Sequence, residues 1–354
     1  MKTALFIDGL DGFGGGQRYA LYVAEVLNPD IFTGFYRKTF PGFQDFSIKV
    51  LGQKISPSFL GAIILMAGFN KLNLPGYDLY VFMGNLSLAA VKKEHRPSIW
   101  ISFGPMRRLY LEKPGLFTGM GNTVLRKFFS TAEANISEID LIIAISGAVK
   151  KRLLNIYGTS IKADIRVIYP PIKVEKFFWQ PPEDYYLYVG RLDRKKRVDV
   201  LINTFSELKT SNLKIVGDGK LRGFVEKQSA RFHNIEYLGP LSEEDLLKVY
   251  SKAIATIYIP YEEDFGLIPV ESQAAGKPCI GASSGGVIES VIHKETGFLI
   301  DEPVDTGKLR EAIEWMSRKR AEDMRDRCME NARRFSFERF SKELKQAIGD
   351  IGSK

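Results

Sequence analysis

Among its 354 residues the chain has two cysteines, Cys279 and Cys328, and three histidines, His95, His233 and His293. Two cysteines so far apart make neither a disulfide framework nor a thiolate metal site, whose ligands recur at short fixed spacings. Usage this sparse fits a reducing, cytoplasmic setting. Long apolar runs are also missing. The longest, Phe59 to Phe69, has 11 residues, well short of the roughly 20 that a membrane-spanning helix needs. Lys54 and Lys71 flank it, which leaves two readings open: a buried core helix, or a helix lying in a membrane interface. The first residues, MKTALFIDGL, have too short an apolar core for a secretory leader and read as a first strand. No repeat or low-complexity tract is present.

The remaining composition, 45% hydrophobic and 26% charged, is that of a soluble globular protein and excludes a disordered or collagen-like chain. The length favours two domains of the usual roughly 100–200 residues each. The net charge of +8 is unevenly placed: residues 1–175 hold 21 basic and 13 acidic side chains, residues 176–354 hold 29 of each. The excess in the first half is either a basic face for anionic lipid, nucleic acid or phosphorylated substrates, or a scatter of solvated lysines. No nucleic-acid reading module or interleaved aromatic and basic run is present, so nucleic acid is not expected as a partner.

Short apolar runs alternate with amphipathic stretches. TALFID precedes RYALYVAEVL, DLYVFMG precedes a helix expected over LAAVKKEH, then come PSIWISF, DLIIAIS with AVKKRLLNIYG, and RVIYP. After Pro170-Pro171 the pattern restarts with YYLYVGRL and continues to GFLID, with a helical tail from Thr306. Such βα series predict parallel sheets. The expected organisation is α/β, with two doubly wound Rossmann-like domains facing a central cleft at the carboxyl ends of their strands. Residues 1–170, with a crossover helix at about 336–354, form the first domain and residues 171–335 the second.

Three glycine-bearing turns stand where such strands end. The first, DGLDGFGGGQR, carries Gly9, Gly12, Gly14, Gly15 and Gly16 before a helix starting near Gln17. Its glycines let backbone N–H groups approach an anion, although such a turn also serves purely structural ends. It is neither a dinucleotide fingerprint, because Gln17 replaces the third glycine, nor a phosphate loop ending in Gly-Lys-Ser/Thr. The second, VGRLDRKKR, puts Arg191 after Gly190 and Lys196 five residues on, two cations able to grip a diphosphate from two sides. IVGDG, with Gly217, marks another turn at the same sheet edge. The third, EEDFGLIPVESQAAG, separates Glu263 and Glu271 by seven residues, with a helix expected from Gly266. Its free N–H groups would face a phosphate while the two carboxylates address two sugar rings; the plainer reading is an acidic helix start, favoured by the dipole.

VGRLDRKKR, IVGDG, YLGPLSEEDL and EDFGLIPVESQAAGKPCI, in this order and spacing, resemble the family-4 retaining glycosyltransferases of the GT-B fold. The likeness covers nearly all of residues 183–345. The KKRVDVLI and PMRRLY segments look most like the mannosyltransferase branch. The resemblance implies that Arg191 and Lys196 neutralise the diphosphate of a nucleotide-sugar, GDP-mannose first and a UDP-sugar second. By the same likeness Glu263 holds the transferred sugar, and Glu271 the ribose. Gly266 and Leu267 offer backbone N–H groups, with Asp264 and Phe265 beside them in the same segment. Gly15 and Gly16 close on the diphosphate from the other domain, Gly239 and its neighbours face the base, and Gly190, Gly217, Asp264 and Phe265 are further donor-binding positions. One position departs: where relatives often carry a histidine two residues before the proline of the acceptor-side segment, this chain has Phe103.

The implied chemistry is a retaining, metal-independent hexosyl transfer to a glycan or lipid-linked acceptor, with no cofactor and no metal ligands. Two alternatives accompany it: a sugar-nucleotide epimerase on the same fold, or a catalytically weak glycan- or nucleotide-binding subunit. Arg107, Arg108, Arg126 and Lys127, with the apolar window at 59–69, place the basic excess on the acceptor half and favour peripheral contact with an anionic membrane at its inner face.

Overall fold

The computed structural model describes residues 1–10, 14–36, 42–51, 59–106 and 129–352, without the side chains of residues 59 and 60. Gly12, Lys54, Arg107, Arg108, Arg126 and Lys127, named above, lie outside the described residues. The chain divides into two compact units, Met1–Tyr169 with Phe340–Lys354, and Pro170–Arg339.

The first unit is built on seven parallel strands: β1 (Thr3–Ile7), β2 (Asp30–Thr33), β3 (Ile48–Val50), β4 (Leu79–Met83), β5 (Ser98–Ser102), β6 (Leu141–Ala144) and β7 (Asp164–Val167). Their order across the sheet is β3-β2-β1-β4-β5-β6-β7. Every residue of β1, β4, β5 and β6 is buried, as expected of strands covered on both faces. One aromatic row runs across β2, β1, β4 and β5. Phe6 stacks on Phe32 at 5.3 Å and on Phe82 at 4.9 Å, and Phe82 is in register with Trp100, whose indole N–H donates to the Gly84 carbonyl at 2.9 Å. The helix Gly15–Leu27 packs Tyr19, Ala20, Val23, Ala24 and Leu27 inward and ends at Asn28 in the left-handed conformation.

The alternating pattern anticipated most of these elements but not β2 and β3, which at four and three residues carry too few apolar positions to register. The helix expected over LAAVKKEH is reduced to a 3-10 turn, Ser87–Ala90. The cause is His95. Its Nδ1–H donates to the Ala90 carbonyl at 2.8 Å, the acceptor an α-helix would give to the Glu94 amide, while Nε2 accepts from the Leu74 amide at 3.2 Å. Burial holds this imidazole below its ordinary pKa, and it stacks on Tyr80 at 4.6 Å. The apolar window forms the helix Phe59–Lys71, which buries Leu65, Met66 and Phe69 but leaves Ile64 exposed. Among the described residues no helix is long and apolar enough to cross a membrane.

The second unit repeats the plan with six parallel strands: β8 (Tyr186–Val189), β9 (Leu213–Val216), β10 (Ile235–Gly239), β11 (Thr256–Tyr258), β12 (Cys279–Ala282) and β13 (Gly297–Ile300). They are ordered β10-β9-β8-β11-β12-β13. The helices Val198–Glu207 and Thr306–Trp315 cover one face, contributing Leu201, Ile202, Phe205, Leu309 and Ile313 to a core with Leu213, Ile215 and Ile257. Both cysteines are buried and unlinked. The helix Phe337–Gly352 leaves this unit, and from Phe340 on it packs with the first, burying Phe340, Leu344 and Ala347.

Candidate active site

In both sheets the first strand lies beside the fourth, so the chain departs in opposite directions from the two and leaves a crevice outside their carboxyl ends. In the second unit these strands are β8 and β11. The VGRLDRKKR turn follows β8 and the EEDFG segment follows β11, which brings Lys196 and Glu263, 67 positions apart, to one sheet edge.

Backbone contact shapes the floor. Gly217, at φ +136°, has no room for a side chain because a Cβ would overlap the Gly190 carbonyl. The Gly190 amide donates to Val216 O at 3.1 Å and the Gly217 amide to Gly239 O at 3.0 Å, so the three turns form one continuous ledge. Above it, Asp193 accepts from the Lys196 amide at 3.0 Å and caps the 3-10 turn Arg194–Lys196. Lys196 Nζ then donates to Tyr258 Oη at 3.0 Å and to the Glu263 carboxylate. The Lys196 and Glu263 side chains are only 14% and 22% exposed, so their charges meet with little solvent screening. Tyr258 is buried between them. Burial, and then the Glu263 charge, pushes its hydroxyl well above the ordinary tyrosine value, keeping it protonated.

Gly266 precedes the helix Leu267–Ala274 at φ +85°, and a Cβ there would lie 2.7 Å from the Tyr258 ring. The N-cap Gly266 supplies no side-chain cap to this helix start, and the first N–H groups of a helix favour an anion. Phe265 is buried against Phe335 at 5.5 Å, and Asp264 and Leu267 are partly buried beside it. The Gly286 amide donates to Glu263 O at 2.9 Å, tying the loop after β12 to the same segment.

The predicted residues therefore divide. Lys196, Glu263, Gly266 and the ledge glycines are brought together. Arg191 stands at the rim, 74% exposed and 3.4 Å from Asp193. Glu271 lies one turn into the helix, 2% exposed, with its carboxylate accepting from Tyr250 Oη at 2.8 Å. The structure thus places it in the helix behind Gly266, with one carboxylate oxygen held by Tyr250. Sequence reasoning missed Tyr258, which reads as one more apolar strand residue. It also missed Asp193, although an Asp three residues before Lys196 is a recognisable cap.

In the first unit Gly15 and Gly16 open the helix Gly15–Leu27, and Gly14 at its N-cap supplies no side-chain bond. Phe103 lies against this start: a Cβ on Gly16 would be 3.8 Å from its ring, and Tyr19 meets it edge-on at 5.8 Å. The position where relatives carry a histidine is thus an apolar wall beside the glycine turn. Nearby Asp8, unmarked by the sequence pattern, accepts from the amides of Asn85, Leu86 and Ser87 at 3.0, 3.2 and 2.8 Å. Burial still pushes its carboxyl up to about 6 against those donors. His293 accepts the Leu299 amide at 3.0 Å and belongs to the packing around β13.

Residues 171–335 match the family model of the glycosyl transferases group 1. This group 1 segment coincides with the second unit and contains every residue of the ledge. A glycosyltransferase of Methanocaldococcus jannaschii, itself uncharacterised, is 30% identical over 215 residues, 60% of this chain and 58% of that one. The D-inositol 3-phosphate glycosyltransferase of a Mycobacterium species is 25% identical over 221 residues, 57% of this chain and 50% of that one. The matched segments thus span 58% and 50% of the length of these relatives. The structure of Anabaena HepE in complex with UDP superposes with a TM-score of 0.76 over 99% of this chain and all of HepE, at 17% identity. The two-sheet α/β fold is that of the GT-B glycosyltransferases.

Proposed function

We propose that the protein is a glycosyltransferase that takes a nucleotide-sugar as donor. The observation carrying this reading is the Lys196, Tyr258 and Glu263 cluster at the β8/β11 switch point, beside a helix start without a side-chain cap. A departing diphosphate needs its growing charge met, and a cation held at low exposure with backbone N–H groups does this in place before the bond breaks. Lys196 supplies the cation, Gly266 and Leu267 the N–H groups, and Glu263 a carboxylate for sugar hydroxyls. Arg191, exposed at the rim, adds a bidentate fork. The sugar gains oxocarbenium character, and the acceptor hydroxyl passes its proton to the leaving phosphate oxygen. Retention and independence from metal follow from the family-4 resemblance and belong to the same proposal.

GDP-mannose is the proposed donor, on the KKRVDVLI and PMRRLY segments. A UDP-sugar is the second reading, favoured by HepE having been solved with UDP-glucose. Thermal-shift titration with GDP, UDP and their sugars decides between them: a larger shift with GDP is expected, and a larger shift with UDP reverses the choice. Transfer is expected to persist in EDTA. The epimerase alternative is not favoured, since the matching model is one of glycosyl transferases. A catalytically weak binding subunit, suggested by Phe103, predicts donor binding without transfer to any of a broad acceptor panel.

For the acceptor we propose a glycan or a lipid-linked glycan, handled by the basic first half at the cytoplasmic face of a membrane. The exposed Ile64 on an apolar helix supports this. Sedimentation with anionic but not neutral liposomes is expected, and indifference to lipid charge would remove the membrane from the proposal.

A further inference from the structure

Directly after Lys196 the chain makes an unusual choice. Arg197 adopts φ +54°, ψ +38°, the left-handed region that residues with a Cβ enter only at a cost, and it does so at the N-cap of the helix Val198–Glu207. Such a residue persists when its surroundings over-determine it, and here they do. The guanidinium forks onto Glu302, with Nη1 at 3.0 Å from Oε1 and Nη2 at 2.7 Å from Oε2. Nη1 also donates to the Ile259 carbonyl at 3.3 Å, just past the end of β11. The Tyr261 ring lies over the guanidinium at 5.4 Å, and the Tyr261 amide donates to Lys195 O at 2.8 Å. Glu302 is held in turn by Ser284 Oγ at 3.2 Å and the Val304 amide at 3.3 Å. Its carboxyl, which burial alone would raise, is lowered on balance by the Arg197 fork. The Arg197 side chain is 12% exposed, so it is spoken for and is not a spare cation for a ligand.

We propose that Arg197 and Glu302 are positioning residues: their fork clamps the turn after β8 to the ends of β11 and β13, so that Lys196 Nζ is delivered to Tyr258 and Glu263. Lys196 is one peptide bond from the clamped residue, and a long lysine side chain loses its orientation when its backbone can swing. The inference rests on the reading that Lys196 meets a nucleoside diphosphate.

The test is calorimetric titration of the full chain with whichever nucleoside diphosphate it binds, and with the matching monophosphate. Arg197→Ala and Glu302→Ala are each expected to weaken the diphosphate about tenfold while changing the monophosphate less than twofold, because Lys196 answers the distal charge. The double variant is expected to be no weaker than either single one, as for two groups acting as a unit. Arg197→Gly, which takes the left-handed backbone without strain, keeps the fold yet loses the fork, and is expected to match Arg197→Ala. Equal losses for both nucleotides, additive losses, or unchanged diphosphate binding in the variants would each overturn the clamp. A wild-type chain that binds no diphosphate would overturn the functional reading, and the clamp with it.

Discussion

Lys196→Ala is expected to lower glycosyl transfer by about 10²- to 10³-fold, the scale seen when one preorganised charge-stabilising group is removed from a site. The side chain is the only described cation joined to both Tyr258 and Glu263. Removing it therefore withdraws the charge that answers the departing diphosphate and leaves Glu263 without that cation. Part of the loss falls on donor affinity and the rest on kcat, because the interaction strengthens as charge develops. The strand and ledge contacts do not involve the Lys196 side chain, so the fold is expected to persist, with a lower thermal transition because Glu263 loses this partner. Glu263→Ala is expected to lose most transfer as well. Turnover near wild type in either variant, measured as initial rate with saturating acceptor, would remove these residues from the site.

A second large effect concerns Lys277, which the sequence presents only as part of a glycine turn. It is 1% exposed, donates to the Gln180 carbonyl at 2.7 Å, and lies 5.1 Å from the Trp179 ring, against whose indole Arg325 also packs at 4.4 Å. Burial pulls its ammonium down to about 8, the Arg325 charge pulling the same way and Glu322 opposing. The unfolded chain keeps this proton up to the ordinary lysine value near 10.4, whereas the folded chain gives it up from about 8. Between those values the unfolded state binds more protons, so stability rises with pH across the window. The contribution is up to about 3 kcal/mol, absent below pH 8 and complete near 10.5. Denaturant unfolding from pH 7.5 to 10 is expected to show the wild type gaining stability relative to Lys277→Met by roughly this amount. Parallel curves for the two proteins would mean that Lys277 is not held as a buried cation.

Much of the fold was legible because its cause is local. Runs such as LYVFM and LIIA are apolar throughout, as in a strand covered on both faces. The glycine turns were legible for the same reason: Gly217 and Gly266 sit where a Cβ would strike backbone or ring, and the residue type itself reports the crowding. Where the local pattern failed, a side chain of the same segment folds back on it. LAAVKKEH has the composition of a helix, but the His95 imidazole, seated between Ala90 and Leu74, takes the carbonyl that the helix required. Strands β2 and β3 were invisible because pairing, β2 with β1 and β3 with β2, and not their own three or four residues, makes them strands.

The candidate site divides along the same line. Sequence by itself determined the two βα series, the turns at their strand ends, and the presence of Arg191, Lys196, Glu263 and Glu271 as the groups able to meet phosphates and sugars. Only the tertiary structure decided which of them meet. Lys196 reaches Glu263 across 67 positions and Arg197 reaches Glu302 across 105, whereas Glu271 turns to Tyr250 inside the unit. Spacing along a chain sets which face of a helix or strand a side chain leaves from. Which charge it finds there is set by strand order, and the order β8-β11 is a property of the whole packed sheet.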